Sequence, residues 1–208
     1  TIENILDLAP SPNYSEDETL FLLTWGGKHS LWRSLDGGAT WERIFTSSLP
    51  EVASLSLVEL SPQYGGGNQV IFMAGTSDGN PATWKSKDGG QNFTRRFAPS
   101  SIDAWTIVND TAFFFGSHDR SHGLVYHTIN SGQSYTAGTV IGDNPINSIV
   151  LSPDYAEDET ILAGDSGGGV YWSDDNGDSF EPLPPDAASP PFTGEVAVTF
   201  DPDFGQNN

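Results

Sequence analysis

The chain has 208 residues, of which 28 are acidic and only eight are Lys or Arg, giving a formal charge of −20. That balance argues against nucleic acid, which is held by neutralising phosphates with Lys and Arg, and against docking on anionic lipid. Cysteine is absent, which excludes disulfides, thiol nucleophiles and Cys metal sites. With 12% aromatic residues the chain is not a disordered acidic tail, and no run approaches the ~18 apolar residues of a membrane span.

The elements read as follows. Ile5 to Leu8 is a strand ending in the turn Ala9-Pro10-Ser11-Pro12-Asn13-Tyr14, where a proline ring blocks ladder pairing. The loop Ser15-Glu16-Asp17-Glu18 leads to a strand from Thr19 to Thr24, and Leu31-Trp32-Arg33 then enters the turn Ser34-Leu35-Asp36-Gly37-Gly38-Ala39-Thr40-Trp41. The cycle repeats with Leu57 to Leu60, Ser61-Pro62-Gln63-Tyr64, Gln69 to Gly75, Thr83-Trp84-Lys85 and a turn from Ser86 to Phe93. A third cycle lacks the proline turn. It runs Trp105 to Thr111, Ala112 to Gly116, Val125-Tyr126-His127, then Thr128 to Tyr135. The fourth restores it: Ile149 to Leu151, Ser152-Pro153-Asp154-Tyr155, the loop Ala156-Glu157-Asp158-Glu159, Thr160 to Gly164, Val170-Tyr171-Trp172, and Ser173 to Phe180. Residues 195–202 begin a fifth with a first strand and a proline turn, so the chain is expected to be part of a longer one.

Each of the four turns fits Ser/Thr-x-Asp/Asn-x-Gly-x-Ser/Thr/Asn-aromatic, recurring every 42 to 52 residues. Such a period marks ringed or stacked copies of one supersecondary unit. Short aromatic strands flank each turn, so each is a β-hairpin. Asp36, Asp88, Asn130 and Asp175 accept backbone N–H groups two or three residues on and close the turn. Gly38, Gly90, Gly132 and Gly177 occupy a position expected to need φ > 0. The hydroxyls of Ser34, Ser86, Thr128 and Ser173 lock the neighbouring backbone. Trp41, Phe93, Tyr135 and Phe180 are expected to fold back into the apolar layer. These acids are turn staples rather than catalysts.

The turns resemble the Asp-box, or bacterial neuraminidase repeat, one per unit along the whole chain. The resemblance implies an all-β fold: a β-propeller of four-stranded antiparallel blades, with the box between the third and fourth strands. The blades fall at about residues 2–48, 50–99, 102–142 and 144–188, a fifth starts near 194, and the ring is expected to be incomplete. Asn130 replaces the usual acid in the third box, where an amide accepts the same bonds.

The resemblance brings two enzyme classes with it. Sialidases clamp a carboxylate with three arginines; here the Arg-Ile-Pro signature is missing, and Arg33, Arg43, Arg95 and Arg96 are expected to pair with acids on blade surfaces. Xyloglucanase-type hydrolases need two carboxylates across a cleft; nothing singles out a pair here, and Asp103 before Trp105 and Asp165 near the Gly167 triplet are loop acids for which solvated charge is the favoured reading. Glu16, Asp17, Glu157 and Asp158 are weak calcium candidates, with turn capping and solvated charge the favoured reading. His118 and His122, in the polar loop 117–123, lack a third ligand for zinc, and the Gly65 and Gly167 triplets are flexible turns. No cofactor is expected, calcium excepted. The composite expectation is an exported or cell-surface, non-catalytic module that contacts other protein subunits or a glycan, with strand addition at the edge strands 2–8 or 196–200 as a route to assembly. The alternative is a glycoside hydrolase with catalytic acids partly outside this segment.

Overall fold

A computed structural model describes residues 2–46, 52–185 and 190–207. The expected ends of the first and fourth repeats, and the start of the second, fall partly outside these residues. The fold is four antiparallel four-stranded sheets, each built from strands consecutive in sequence. The first contains β1 (Asn4–Pro10), β2 (Leu20–Trp25), β3 (His29–Ser34) and β4 (Glu42–Thr46), and the second β5 (Ser54–Leu60), β6 (Ile71–Ser77), β7 (Asn80–Ser86) and β8 (Thr94–Phe97). The third contains β9 (Ala104–Ile107), β10 (Phe113–His118), β11 (Gly123–Thr128) and β12 (Thr139–Gly142); the fourth, β13 (Ile146–Leu151), β14 (Ile161–Asp165), β15 (Val170–Ser173) and β16 (Glu181–Pro182).

A consecutive-strand meander needs only short hairpins, and it lets side chains alternate between the two faces of each sheet. Both faces of the central strands are apolar here. Phe21, Leu23, Ile71, Met73, Phe113, Phe114, Phe115, Ile161 and Ala163 are fully buried. The chain divides into two compact units. One is Thr1–Pro99 with Asn109–Thr111 and Ser131–Gln133; the other is the remainder, from Ser100 onward. In the first unit Phe21, Leu23 and Leu31 pack with Leu55, Val58, Ile71, Met73 and Trp84. In the second, Phe114 and Val125 pack with Ile146, Ile149, Ile161 and Ala163.

Each first strand except β9 carries a register shift, at Ile5/Asp7, Leu55/Leu57 and Ile146/Ser148. A bulge bends the strand and turns a polar side chain sideways. Asp7 uses this to accept the Val58 N–H at 2.8 Å, and Ser148 to accept the Val198 N–H at 3.1 Å.

Two expectations need correction. The loops after the proline turns contain single-turn helices, α1 (Tyr14–Asp17) and α2 (Tyr155–Asp158), ended by Glu18 and Glu159 in the left-handed region. Ser11 and Ser152 accept the Asn13 and Asp154 N–H groups, so the serine before the proline starts the helix. A third such turn, α3 (Phe204–Asn207), follows Asp201, which accepts the Asp203 N–H. The second correction concerns residues 195–200, which form no ladder strand. They are tied by Val196 N–H to the Asp165 carbonyl and by Val198 to Ser148. A ladder needs a partner strand, and no second strand of that repeat follows within these residues.

Candidate functional site

The four repeated turns form clasps of one geometry. At the first, Ser34 Oγ donates to Asp36 Oδ1 at 2.7 Å and accepts the Gly38 N–H at 2.8 Å. Asp36 Oδ1 also accepts the Thr40 N–H at 2.8 Å, and Oδ2 accepts the Thr40 hydroxyl at 2.6 Å. Ser86, Asp88, Gly90 and Asn92 repeat this at 2.7, 2.9, 2.9 and 2.8 Å. Ser173, Asp175, Gly177 and Ser179 do so at 2.8, 2.9, 2.9 and 2.6 Å. The strongest bonds of the acid therefore reach four residues on, with a weaker one from the N–H three residues on, that of Ala39, Gln91 or Asp178. In the third clasp Thr128 donates to Asn130 Oδ1, which also accepts the Ser134 N–H. There the last bond reverses, because Asn130 Nδ2 donates to Ser134 Oγ at 2.8 Å.

The backbone explains the glycine. Gly38, Gly90, Gly132 and Gly177 have φ of 94°, 94°, 76° and 79°. The preceding residue is left-handed as well, and it is Gly37, Gly89, Ser131 or Asn176. Two successive left-handed residues swing the chain back over the serine, and only the second demands glycine each time. The closing aromatics are half-buried. Trp41 Nε1 donates to the Gly38 carbonyl at 3.0 Å, Phe93 and Phe180 pack on the two apolar cores, and Tyr135 meets Phe113 and Phe115 edge-on.

These clasps hold anions with neutral donors. The Thr40 hydroxyl and N–H, then the Ser34 hydroxyl, pull the Asp36 carboxyl down to about 2, and Asn92 with Ser86 does the same to Asp88. Burial opposes ionisation of Asp175, but bonds from Ser179 and Ser173 outweigh it and its pKa is lowered.

Several of the remaining acids are similarly engaged. Asp17 accepts the Ser11 hydroxyl at 2.7 Å and the Thr19 N–H at 2.9 Å. Asp158 accepts the Ser152 hydroxyl and the Thr160 N–H. Glu16 and Glu157 lie in the helical turns beside them. Among the described residues no three His, Asp or Glu side chains gather as a metal site. Asp165 is fully buried and accepts the Gly167 and Gly169 N–H groups, each at 2.8 Å, and the Tyr171 hydroxyl at 2.9 Å. That glycine triplet is therefore a pinned turn, not a flexible one. Desolvation raises the pKa of Asp103, which accepts the Ser101 hydroxyl at 3.3 Å. Asp110 bonds Ser61 and Asn68, 49 and 42 residues away in sequence, a staple that sequence separation concealed. His118 ends β10 and His122 lies 3.7 Å from Asp119 in the hairpin.

Of the four arginines expected to pair with acids, Arg33 meets Glu42 at 3.0 Å and Arg95 meets Asp78 at 3.6 Å. Arg43 instead lies over the Trp32 ring, and Arg96 donates to the Arg95 carbonyl. Two cavities border these residues. One, of about 290 Å³, is lined by Lys85, Lys87, Asp88, Asn92, Thr94 and Arg96 together with Ser131 and Gln133. The other, of about 670 Å³, is lined in part by Arg43, Trp84, Asn92, Phe93 and Arg95.

Compared with protein-family models and with curated proteins, the sequence matches none. Solved structures do match it in fold. A GH74 enzyme from Niastella koreensis is 18% identical with a TM-score of 0.67, over 89% of this chain and 30% of its own. A chain of a nidogen/laminin complex is 14% identical with a TM-score of 0.64, over 95% and 68%. YCF48 bound to a D1 peptide is 18% identical with a TM-score of 0.60, over 88% and 53%. The chain thus spans about a third of the length of the GH74 enzyme it matches and about half of YCF48. With these neighbours, the four sheets are the blades of a β-propeller. The class contains hydrolases and proteins seen bound to other polypeptides, and no helix among the described residues is long and apolar enough to cross a membrane.

Proposed function

We propose that this chain is a non-catalytic Asp-box propeller module, acting outside the cytoplasm or at the cell surface by contact with another protein or a glycan. One observation carries this reading. The first strand and the residues just before it present Ile2, Ile5, Leu6 and Leu8 to solvent, with Ile5 66% exposed, while Asp165, one of the two acids a hydrolase would deploy, is spent on backbone and hydroxyl donors. A strand with one ladder partner and an apolar outer surface is an interface in search of a neighbour.

A glycoside hydrolase is the second reading, favoured by Asp103. Its pKa, raised by desolvation, and its place two residues before the buried Trp105 suit a general acid, although the side chain is exposed. One experiment separates the two. The chain is incubated with xyloglucan, mixed-linkage glucan and sialyllactose, and reducing ends and free sialic acid are measured. The same glycans are tested by affinity electrophoresis, and self-association by sedimentation velocity. The binding reading expects retardation or association without product. Turnover that disappears in Asp103→Asn overturns it.

A further inference from the structure

We propose that β8 is a docking edge for an extended, acidic polypeptide segment, which adds to the second sheet as a fifth strand. The proposal names a surface and a partner chemistry for the binding reading above, and it rests on that reading.

The observation is a segregation of charge. The protein has eight Lys and Arg among 208 residues against 28 acids. Five of those eight, Arg43, Lys85, Lys87, Arg95 and Arg96, line the two cavities beside β8, together with a single acid, Asp88. Both oxygens of Asp88 are already taken by Ser86 and Asn92. Consecutive residues of a strand point to opposite faces, and that is how the cations divide. Thr94 and Arg96 face the smaller cavity with Lys85 and Lys87; Arg95 faces the larger with Arg43. Asn92, in the clasp just before β8, borders both.

β8 is the last strand of its sheet and, among the described residues, pairs only with β7. Every second residue therefore turns its N–H and C=O outward, as a template for another strand. The other last strands carry less positive charge: β4 has Arg43 beside the acid Glu42, β12 has no charged residue, and β16 is two residues with a proline. Charge on an edge commonly repels neighbours, but repulsion depends on the sign of what approaches. On a protein of charge −20, Lys and Arg at an edge admit acidic chains rather than exclude them. Lys85 is partly committed, donating to the Asp110 carbonyl and to Ser131, and Arg95 to Asp78. Lys87 and Arg96 are exposed and carry most of the recognition, with Arg96 giving up its bond to the Arg95 carbonyl as the new strand adds. An added strand with consecutive acids meets both faces at once, one carboxylate beside Arg96 and its neighbour beside Arg95. The backbone ladder supplies affinity and the charges supply register.

The test is fluorescence anisotropy of the 208-residue chain with a labelled octapeptide of four central glutamates flanked by valines. Binding should weaken at least tenfold in the double variant Lys87→Glu/Arg96→Glu, whose fold is verified by circular dichroism. It should weaken as steeply when alternate peptide amides are N-methylated, a change that leaves the protein untouched. Binding that survives N-methylation, or is matched by a uronate oligomer of equal charge, shows a plain anion site and overturns strand addition. Self-association lost in the double variant, with no peptide binding, makes the occupant a second copy and also overturns the proposal. Failure here alongside glycan retardation or association through β1 would leave the general binding reading standing.

Discussion

Ser86→Ala tests whether the clasps hold the sheets together. Ser86 is fully buried, and its hydroxyl makes two short bonds: it donates to Asp88 at 2.7 Å and accepts the Gly90 N–H at 2.9 Å. Alanine removes both. The first loss is a hydrogen bond to a charged group, worth about 1.5–3 kcal/mol when made. The second leaves the buried Gly90 N–H without its acceptor, at about 1–3 kcal/mol. Asp88 keeps its Asn92 bonds, so the carboxylate is not stranded and the sum falls short of the maximum. A loss of about 2–4 kcal/mol is expected, a large part of the ~5–15 kcal/mol that holds a typical domain. Asp88→Asn keeps an acceptor at the same place, as Asn130 does naturally, and should cost roughly 1 kcal/mol or less. Equilibrium urea unfolding of the two variants, followed by tryptophan fluorescence and circular dichroism, gives both values. A cost below about 0.5 kcal/mol for Ser86→Ala, or a larger cost for Asp88→Asn than for Ser86→Ala, would refute the argument.

Two further outcomes follow from the same geometry. Because the pKa values of Asp36 and Asp88 are depressed to about 2, the native state binds fewer protons than the unfolded chain below about pH 4. The stability these groups contribute is therefore present above that pH and lost as it falls toward 2. Asn130→Asp should add a third such group, since the Ser134 hydroxyl can turn round to donate. Its stability relative to the parent should rise between pH 2 and 5 in acid unfolding curves; a pH-independent difference refutes it. At Gly75, an added Cβ would stand 2.1 Å from the Ser54 carbonyl oxygen and 2.8 Å from Leu55 Cα, both backbone, whereas at Gly79 it meets nothing within 4 Å. Gly75→Ala should cost about 3 kcal/mol or more, while Gly79→Ala costs only the strain of its φ of +76°, about 1 kcal/mol. Equal melting temperatures for the pair would contradict this.

The hairpins and their repeat were legible because the clasp is local: every hydrogen bond in it spans two to four residues, so the residue pattern contains the whole device. The helical turns at Tyr14–Asp17 and Tyr155–Asp158 were not, since four residues show no 3.6-residue periodicity and both turns end on a left-handed glutamate where glycine is the usual signal. The pairing of Asp110 with Ser61 and Asn68, and of Asp7 with Val58, spans 42 to 51 residues. Nothing in the local sequence marks such partners. The grouping of cations was hidden for a different reason. Arg95 and Arg96 are adjacent in sequence but serve opposite faces, while Arg43 from β4 and Lys87 from the turn after β7 border the two cavities beside β8.

Charge accounting connects the clasps to the cationic edge. Eight cations cannot neutralise 28 carboxylates, so a fold relying on ion pairs would leave most of its acids exposed to mutual repulsion. The clasps and helical turns take another course. Asp17, Asp36, Asp88, Asp158 and Asp175 are each held by N–H and O–H dipoles, and such bonds stabilise a carboxylate without a counter-ion. A carboxylate satisfied this way does not need a lysine, and the few cations need not be scattered among the acids. Gathering five of them around β8 is then a choice the fold is free to make. In a protein that spent its arginines on internal pairs, the same edge would have been bare.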